Sequence, residues 1–313
     1  MALEKAGDIV RDAYKKGVGV PAFNVLNNEM IKLVIHQAEV LQKPVLIACY
    51  PGFKDMIAID VVADVTKAYA KKVKVPVGLH LDHSTDYAET VQAMNMGYSS
   101  VMYDGSALSF EENVKNTAEV VKVAKTLDVD VEAELGHVGS AEEASDFSDS
   151  AKFTSPKDAA VFLERTECSS LAVAVGNAHG SYVQQPNLDL DRIQTISKML
   201  QIPLVLHGGS GIPDEQIKGA IRRGIAKINV GTELFHTYFR AMETYSMCDT
   251  NAKGMHDATE LRHRSVLAYL ESKINLMNPI LDQEQLVEHI VKEVLKEMRI
   301  HGVKVSGRDF FRK

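Results

Sequence analysis

The sequence is poor in cysteine and lacks long apolar runs. Its three cysteines, Cys49, Cys168 and Cys248, are scattered over 313 residues and form no CxxC pair. This excludes a disulfide framework and predicts a reducing, cytoplasmic environment. No apolar run approaches the roughly 20 residues of a membrane span. The charged, amphipathic start MALEKAGDIVRDAYKK also lacks the apolar core of a signal peptide, so no membrane partner is expected.

Positive charge is not in excess either. There are 35 Lys and Arg against 42 Asp and Glu, a net charge of −7 at pH 7. Nucleic acid and anionic membranes attract basic surfaces, so neither is expected as a partner. Hydrophobic residues make up 45% and charged residues 25%, which is ordinary for a soluble globular protein. No Pro/Gly-rich linker divides the chain, and we predict one domain over residues 1–313.

Eight short β-rich runs alternate with helical stretches. Near-continuous Val, Ile, Leu and Ala in these runs is typical of parallel strands that are buried on both faces. Eight such units, roughly 25–35 residues apart, predict a (β/α)₈ TIM barrel. A doubly wound sheet is the alternative, but it usually has fewer strands and no GxGxxG follows the first run. The runs are 19–25, 44–50, 75–83, 100–105, 129–136, 170–176, 202–210 and 226–232.

The predicted barrel occupies about residues 17–245. Two further helical segments, ELRHRSVLAYLESKINLM and DQEQLVEHIVKEVLKEMRI, fall within residues 260–313. They exceed what a barrel needs, so this C-terminal extension is expected to pack beneath the barrel or against a neighbouring subunit.

Polar side chains stand where the predicted strands end. The third strand ends in Asp82 and His83 and the fourth in Asp104, while His179 follows the sixth and His207 lies in the seventh. Catalytic residues of TIM barrels lie at these carboxyl ends. Three imidazoles plus an open position form a catalytic zinc arrangement, and Asp104 could orient a ligating histidine. Consecutive residues point to opposite faces of a strand, so Asp82 and His83 can share a site only where the strand ends.

The fifth strand carries VEAEL at residues 131–135. Alternation predicts that its three apolar residues face the helices while Glu132 and Glu134 point into the barrel, where carboxylates need cations or donors. Glu134 is therefore a candidate metal ligand. A rival aldol chemistry uses a Schiff-base lysine, for which Lys227 on the eighth strand is the only plausible barrel residue. His80 is interpreted as a packed strand residue.

Glycine-rich turns, HGGSG at 207–211 and NVGT at 229–232, follow the last two strands. Their backbone N–H groups can approach an anion closely, and this is the usual phosphate site of barrels. A metal beside a phosphate pocket predicts a sugar phosphate substrate, with the metal polarising a carbonyl and Asp82 transferring a proton. The long polar loop 137–155 is expected to act as a lid.

The stretches HLDH, YDGS, VEAELGHVG, AVAVGNAHG, IPLVLHGGSGIP and KINVGTEL resemble the class II, zinc-dependent fructose/tagatose-bisphosphate aldolases over residues 19–234. The short chain and the GTEL after the eighth strand are more similar to the tagatose-bisphosphate branch. The resemblance implies an enzyme of carbohydrate metabolism, such as glycolysis. It would cleave a ketose 1,6-bisphosphate reversibly to dihydroxyacetone phosphate and glyceraldehyde 3-phosphate.

The resemblance also implies roles for individual residues. The three histidines hold Zn²⁺, Glu134 contacts it in one of its positions, and Asp82 exchanges a proton with the hydroxyl that becomes the aldehyde. Glu142, in the lid, moves the proton on the carbon next to the carbonyl. A monovalent cation (Na⁺ or K⁺) near the phosphate and a homodimer or homotetramer are usual. The implied substrate-binding residues are Asn24, Gly180, Gly208, Gly209, Ser210, Asn229, Val230, Gly231 and Thr232.

The lid and the pocket depart from the family pattern. The lid reads GSAEEASD where relatives often read GGxED, so Glu143 is an alternative to Glu142 as the base. Tyr50 stands where relatives often carry Ser or Thr, and Gly231 replaces an acidic, Ala or Asn residue. Both changes could reshape the pocket for the aldehyde half.

An arginine for a distal phosphate is not evident, and Arg308 and Arg312 near the C-terminus are the candidates. One alternative is therefore a ketose 1-phosphate whose aldehyde product is not phosphorylated. A metal-dependent barrel hydrolase that uses the same histidines is a second alternative. A sugar-phosphate binding protein without catalysis is a third, which the intact Asp82 opposes.

Overall fold

The structure, a computed structural model, describes residues 3–243 and 252–279. Eight parallel strands close into one barrel in chain order, which confirms the predicted TIM barrel. The strands are Val20–Asn24 (β1), Val45–Cys49 (β2), Val77–Ser84 (β3), Ser100–Tyr103 (β4), Asp130–Leu135 (β5), Ser170–Val173 (β6), Leu204–Leu206 (β7) and Ile225–Val230 (β8).

Helices surround the barrel. None in the described part of the chain is both long enough and apolar enough to cross a membrane. Short 3₁₀ turns cover Pro51–Phe53 and Ser150–Lys152. The helices are Ala6–Lys16 (α1), Asn28–Leu41 (α2), Ile59–Ala70 (α3), Tyr87–Asn95 (α4), Phe110–Leu127 (α5), Ala144–Ser148 (α6), Pro156–Thr166 (α7), Leu190–Leu200 (α8), Asp214–Ile221 (α9), Thr232–Glu243 (α10) and Ala252–Met277 (α11).

Helix α1 closes the amino-terminal end of the barrel. Its apolar face, which includes Ala6 and Ile9, forms a small core with Val20 and Leu46 from the strands. Gly78 in β3 makes this approach possible, because a Cβ there would lie 2.4 Å from Leu46 Cδ2 and 2.8 Å from Ala6 Cβ. The carboxyl end of the barrel is therefore the open end.

Helix α11 belongs to the outer helical layer. It contacts α2, α9, α10 and β1, and its residues Val266, Leu270 and Ile274 are buried. Its last carbonyl, of Met277, accepts a hydrogen bond of 2.8 Å from the backbone N–H of Gly19. This segment thus packs on β1 with the other helices, whereas the sequence analysis left open whether it packs beneath the barrel or against a neighbouring subunit.

The chain divides into two units, residues 1–278 and 279–313. Almost all of the second unit, including the further helix expected at 282–300 and both C-terminal arginines, lies outside the described residues. The same holds for residues 244–251 between α10 and α11.

Strand alternation separates an apolar core from a polar barrel interior. On β5, Val131 and Ala133 pack in the core between strands and helices, as predicted. Glu132 and Glu134 are 1% exposed and contact His207, which directly follows β7, and Glu132 also contacts Lys227 of β8. The barrel interior therefore contains buried charges, and these lie below the open mouth.

Candidate active site and metal centre

Three histidines converge at the carboxyl end of the barrel. The ring centroid of His83 lies 4.7 Å from that of His179 and 4.4 Å from that of His207. One ring nitrogen from each lies within 4.8 Å of the other two. These rings also hold three of the four buried side-chain nitrogens without hydrogen-bond partners in the described residues, namely Nε2 of His83, Nε2 of His179 and Nδ1 of His207; the fourth is Nε of Arg223. Because buried nitrogens are usually hydrogen-bonded, this arrangement fits a metal ion held by three imidazoles.

A bulge in β3 brings Asp82 and His83 to the same cavity. The strand continues to Ser84, so the pair does not occupy its last residues as the sequence analysis assumed. Instead, the register with β4 shifts between Leu81 and Ser84, and His83 has φ +47°. This left-handed conformation is uncommon outside glycine, and it turns the His83 side chain toward the side on which Asp82 lies. A backbone held there costs about 1–3 kcal/mol, and such strain is concentrated at functional sites.

Asp104 fixes the imidazole of His83. Its Oδ2 lies 2.9 Å from Nδ1 of that ring, while its Oδ1 accepts hydrogen bonds from the backbone N–H and hydroxyl of Ser106. Burial would raise the pKa of Asp104, but the hydrogen bonds from His83 and Ser106 hold it well below its usual range. The ionised carboxylate therefore keeps a proton on Nδ1 and leaves Nε2 for a metal.

Two glutamates flank His207. Glu132 Oε1 lies 2.9 Å from Nε2, and Glu134 Oε2 lies 3.2 Å from Nδ1 without the alignment of a hydrogen bond. Burial alone would lower the pKa of His207, but the two carboxylates raise it to about 10. Glu134 also groups with His83 and Asp104 within 4.8 Å, so it could contact a metal that shifts position.

His179 is hydrogen-bonded through its backbone to the predicted lid. Its N–H donates to the carbonyl of Gly139 and its carbonyl accepts from the N–H of Ala141, both at 2.8 Å. Burial, together with the positive charge of His83 and His207, lowers the pKa of His179 to about 3. Its imidazole is therefore neutral near pH 7, which is the form that binds a metal.

Asp82 is held between two asparagines. Its oxygens accept hydrogen bonds of 2.9 Å from the amide of Asn24 and 2.8 Å from that of Asn229. Burial would raise the pKa of Asp82, but the positive charge of His83 and Lys227 holds it well below its usual range. The side chain is thus an aligned, ionised carboxylate that can take up a proton from a substrate.

These groups open into a cavity of about 390 Å³. Most of the sequence-predicted site residues line it together. Five of the predicted residues, Glu134, Glu142, His207, Gly209 and Val230, do not border the cavity, and Val230 packs in the outer core. The predicted residues that line it are Asn24, Asp82, His83, Asp104, His179, Gly180, Gly208, Ser210, Asn229, Gly231 and Thr232.

The lid residue Glu142 does not border this cavity. Its side chain is exposed, as is that of Glu143. On either side of the pair the lid is fixed, by the pairing of Ser140 with His179 and by the buried ring of Phe147 against Tyr182. Either glutamate could reach a substrate only if the segment between these anchors moved.

Two glycines shape the predicted phosphate side. Gly208 has φ +61°, and a Cβ there would lie 1.8 Å from the carbonyl oxygen of Ala178. Gly180 has φ +106° and no atom within 4 Å of the position of a Cβ. A side chain is thus excluded at the first by contact, while open space at the second leaves room for a ligand against the backbone.

Sequence analysis missed the apolar part of the lining. Phe53, Phe235 and Val138 border the cavity, and their signal was only their place in the segments that follow the strands. The ring of Phe53 lies 5.0 Å from that of Tyr50 and 5.5 Å from that of Phe235. No lysine or arginine is among the described residues that line the cavity.

Comparisons with known proteins show that the chain is similar to aldolases. The family model described as fructose-bisphosphate aldolase class-II matches residues 4–302. A sulfofructosephosphate aldolase from Alkalicoccus urumqiensis is 40% identical over 244 residues, 78% of this chain and 85% of the relative. The YdjI aldolase of Escherichia coli K12 superposes with a TM-score of 0.79 at 36% identity, covering 90% of this chain and 99% of that one. A Coccidioides immitis structure provisionally named as a fructose-1,6-biphosphate aldolase gives 0.78 at 26% identity, covering 88% and 96%.

The family match covers the barrel and every residue of the site described above. The resemblance seen in the sequence is therefore confirmed. It makes the protein an aldolase of a class that depends on a metal, and the three histidines could hold that metal. The chain belongs to the class II fructose-bisphosphate aldolase family.

Proposed function

We propose that the protein is a zinc-dependent aldolase that reversibly cleaves a ketose 1-phosphate into dihydroxyacetone phosphate and an aldehyde. The observation that carries this proposal is the meeting of three unpartnered imidazole nitrogens, two of them on residues that line the same cavity as the ionised Asp82. The glycine-rich turns at Gly180 and Gly208 border the same cavity and supply backbone groups for a phosphate. Zn²⁺ bound to His83, His179 and His207 would supply a Lewis acid for the substrate carbonyl.

Asp82 is the group that transfers the proton at the bond that breaks. In the cleavage direction its carboxylate takes the proton from the hydroxyl on the carbon that becomes the aldehyde, and in the reverse direction it returns that proton. Asn24 and Asn229 keep the carboxylate aligned. Their own Oδ1 atoms have no partners and remain free to accept hydrogen bonds from substrate hydroxyls.

Glu142 would move the proton on the carbon next to the carbonyl, with Glu143 as the alternative. Because both side chains are exposed outside the cavity, this role requires the lid to close over bound substrate.

The buried position of Lys227 argues against Schiff-base chemistry. Its side chain is 1% exposed, its Nζ is bonded to Glu132 and His80, and it does not border the cavity. It therefore cannot reach a substrate carbonyl. The family match to aldolases likewise leaves the hydrolase alternative without support.

Two hypotheses differ in the half of the substrate that becomes the aldehyde, which either carries a second phosphate or does not. A ketose 1,6-bisphosphate of the fructose or tagatose type needs a cation for its second phosphate, and the described lining offers Tyr50, Phe53 and Phe235 instead. This favours an aldehyde half without a phosphate, unless Arg308 or Arg312, which lie outside the described residues, supplies the cation. The name of the Alkalicoccus urumqiensis relative likewise gives a sulfofructose phosphate as substrate, not a bisphosphate.

From the family resemblance we also propose a Na⁺ or K⁺ ion beside the phosphate, a homodimer or homotetramer, and a cytoplasmic enzyme.

A substrate panel with metal removal tests the proposal. Dihydroxyacetone phosphate release is measured with the 1-phosphates and 1,6-bisphosphates of fructose and tagatose and with sulfofructose 1-phosphate. We expect about one zinc per chain, loss of activity with chelator and recovery with zinc. We expect the highest kcat/KM on a substrate without a terminal phosphate. Full activity without metal, or borohydride trapping of substrate on Lys227, would contradict the mechanism, and a preference for a bisphosphate would contradict the substrate assignment alone.

A further inference from the structure

A lysine lies inside the barrel, and the proposed chemistry makes no use of it. Lys227 on β8 has its Nζ 2.9 Å from each oxygen of Glu132 and 3.2 Å from Nε2 of His80. An ammonium group has three donors, so each has an acceptor. The acceptor role of His80 fits its other hydrogen bond, in which Nδ1 lies 2.9 Å from the hydroxyl of Ser100. The ammonium is thus fixed in one position.

Glu132 connects this ammonium to a predicted zinc ligand. Its Oε1, which accepts from Lys227, also lies 2.9 Å from Nε2 of His207. A carboxylate at that distance accepts the Nε2 proton, so Nδ1 is the nitrogen left to face a metal. Nδ1 is the nitrogen of His207 without a hydrogen-bond partner, and His207 groups with the other two histidines.

Lys227 also places a fixed positive charge inside the barrel. The other buried lysine in the described part of the chain, Lys43, is bonded to Asn275 of α11, away from the metal centre. Glu132 is 1% exposed, and a buried carboxylate whose partner is removed is strongly destabilised, so it must move or change partner. Either outcome would release Nε2 of His207.

We propose that Lys227 is a positioning residue of the metal centre, which acts through Glu132 to hold His207 with Nδ1 toward the metal. Lys227 does not border the cavity, and its Nζ contacts Glu132 and His80, so its effect on zinc is indirect. The inference rests on the proposed metal-dependent function and adds a chain of three buried residues, Lys227, Glu132 and His207, that supports it.

Zinc affinity and a cobalt spectrum test this role without relying on activity. We compare Lys227→Met with wild type by zinc competition against a chromogenic chelator and by the visible absorption of the Co²⁺-substituted protein. We expect zinc affinity to fall by about 10–100-fold, the range typical for lost partners of metal-binding histidines, and the cobalt spectrum to change. Lys43→Met is the matched control, because it removes the other buried lysine and should change neither readout.

A double-mutant cycle shows whether the effect runs through Glu132. In Glu132→Gln the amide oxygen can still accept from His207 and needs no counter-charge. Adding Lys227→Met to this variant should therefore change zinc affinity by only a few-fold, well short of its effect in wild type. If the single Lys227→Met variant fails to fold, the zinc affinities of Glu132→Gln and of the double variant can still be compared.

The outcomes separate this inference from the proposed function. Wild-type protein that binds no zinc contradicts the proposed function. Wild-type protein that binds zinc, with a folded Lys227→Met variant of equal affinity and identical cobalt spectrum, overturns the role of Lys227 alone. Equal losses on the wild-type and Glu132→Gln backgrounds also overturn it, because the effect then bypasses Glu132.

Discussion

Asp82 and His83 are adjacent in the chain, yet both serve one cavity because His83 has a left-handed backbone. The residue types and their place near a strand end were enough to predict both as site residues. The bulge was not predictable, because it depends on how β3 pairs with β4. Phe53 and Phe235 were missed for another reason, since an apolar residue in the segment after a strand has the same sequence signal whether it lines a cavity or packs in the core.

Asp82→Asn should retain zinc and phosphate affinity but lose cleavage. Asparagine keeps the size of the carboxylate but cannot take up a proton, so kcat should fall by ~10²–10⁴-fold. Asn24 and Asn229 can turn their unpartnered Oδ1 atoms toward the new amide, so the fold should tolerate the change. Proton exchange on dihydroxyacetone phosphate, followed by NMR in D₂O, should continue. If zinc is lost instead, Asp82 is a structural partner of His83, and wild-type cleavage would place the proton carrier elsewhere.

Gly208→Ala should destabilise the protein by more than the cost of its left-handed backbone alone, and it should also weaken phosphate binding. A left-handed non-glycine residue costs roughly 1–2 kcal/mol, and the contact of the new Cβ with the carbonyl of Ala178 adds to this. Gly17→Ala is the matched control, because Gly17 has φ +66° with no atom within 4 Å of a Cβ and ends α1 far from the site. We expect a greater loss of stability in urea unfolding and weaker inhibition by inorganic phosphate for Gly208→Ala. Equal losses in the two variants would mean that the carbonyl simply moves aside.

At the scale of elements, the sequence predicted eight strands and placed them in order, because buried parallel strands are nearly continuous apolar runs. Their ends were less predictable. The seventh run was expected at 202–210, whereas β7 is Leu204–Leu206, and the sixth at 170–176, whereas β6 is Ser170–Val173. The apolar pattern continues into loops that are buried but unpaired, as at Val175, so hydrophobicity alone does not mark where pairing stops. The place of α11 was also not predictable, since its apolar face gives no sign of which strands it covers.

The lid should supply the carbon-acid base through Glu142. Glu142→Gln is expected to slow proton exchange on dihydroxyacetone phosphate while leaving its affinity nearly unchanged, because the residue lies outside the open cavity. Glu143→Gln is the control, since it removes the neighbouring charge from the same exposed segment. NMR exchange rates and inhibition constants distinguish the two. If exchange is slow only in Glu143→Gln, the base is Glu143 and not Glu142.

A buried carboxylate couples α2 to α10 and α11. Burial would raise the pKa of Glu29, but hydrogen bonds from Arg262, Tyr238 and His263 lower it to about 2, from a model-peptide value of 4.5. Because the folded pKa is the lower one, this stabilisation is complete above about pH 4.5 and is lost as the pH falls toward 2.

Glu29→Gln should therefore destabilise the protein at pH 7 by on the order of 1 kcal/mol, a value reduced for solvent screening of a partly exposed pair. The difference from wild type should shrink below pH 4. Urea unfolding of both proteins in chelator, at several pH values, measures it. Glu164→Gln, at an exposed position of α7, is the control and should show no such trend. A pH-independent difference would show that Glu29 acts by packing and not by charge.

At the scale of the whole molecule, zinc should stabilise the fold. The three proposed ligands come from the end of β3 and from the segments directly after β6 and β7, so the complete site exists only when the barrel is closed. A ligand specific to the folded state at 1,000 times its Kd adds about 4 kcal/mol. That should raise Tm by several degrees, at roughly 2–4 °C per kcal/mol for a chain of this size. The scan is repeated with His179→Ala, for which the shift should largely vanish. An equal shift in both proteins would place the zinc at another site.

The polar layer inside the barrel has a consequence for how this sequence could change under selection. His80, Glu132 and Lys227 are buried, and replacing such an ionic cluster by apolar residues of similar volume is often neutral or stabilising by about 1–4 kcal/mol. A library of variants screened for heat resistance alone should therefore accumulate apolar replacements at these positions, and its survivors would be rigid barrels with a weakened metal centre. A screen that requires sugar cleavage should keep these three side chains. The residues found at the three positions would therefore show whether a set of variants had been selected for heat resistance or for activity.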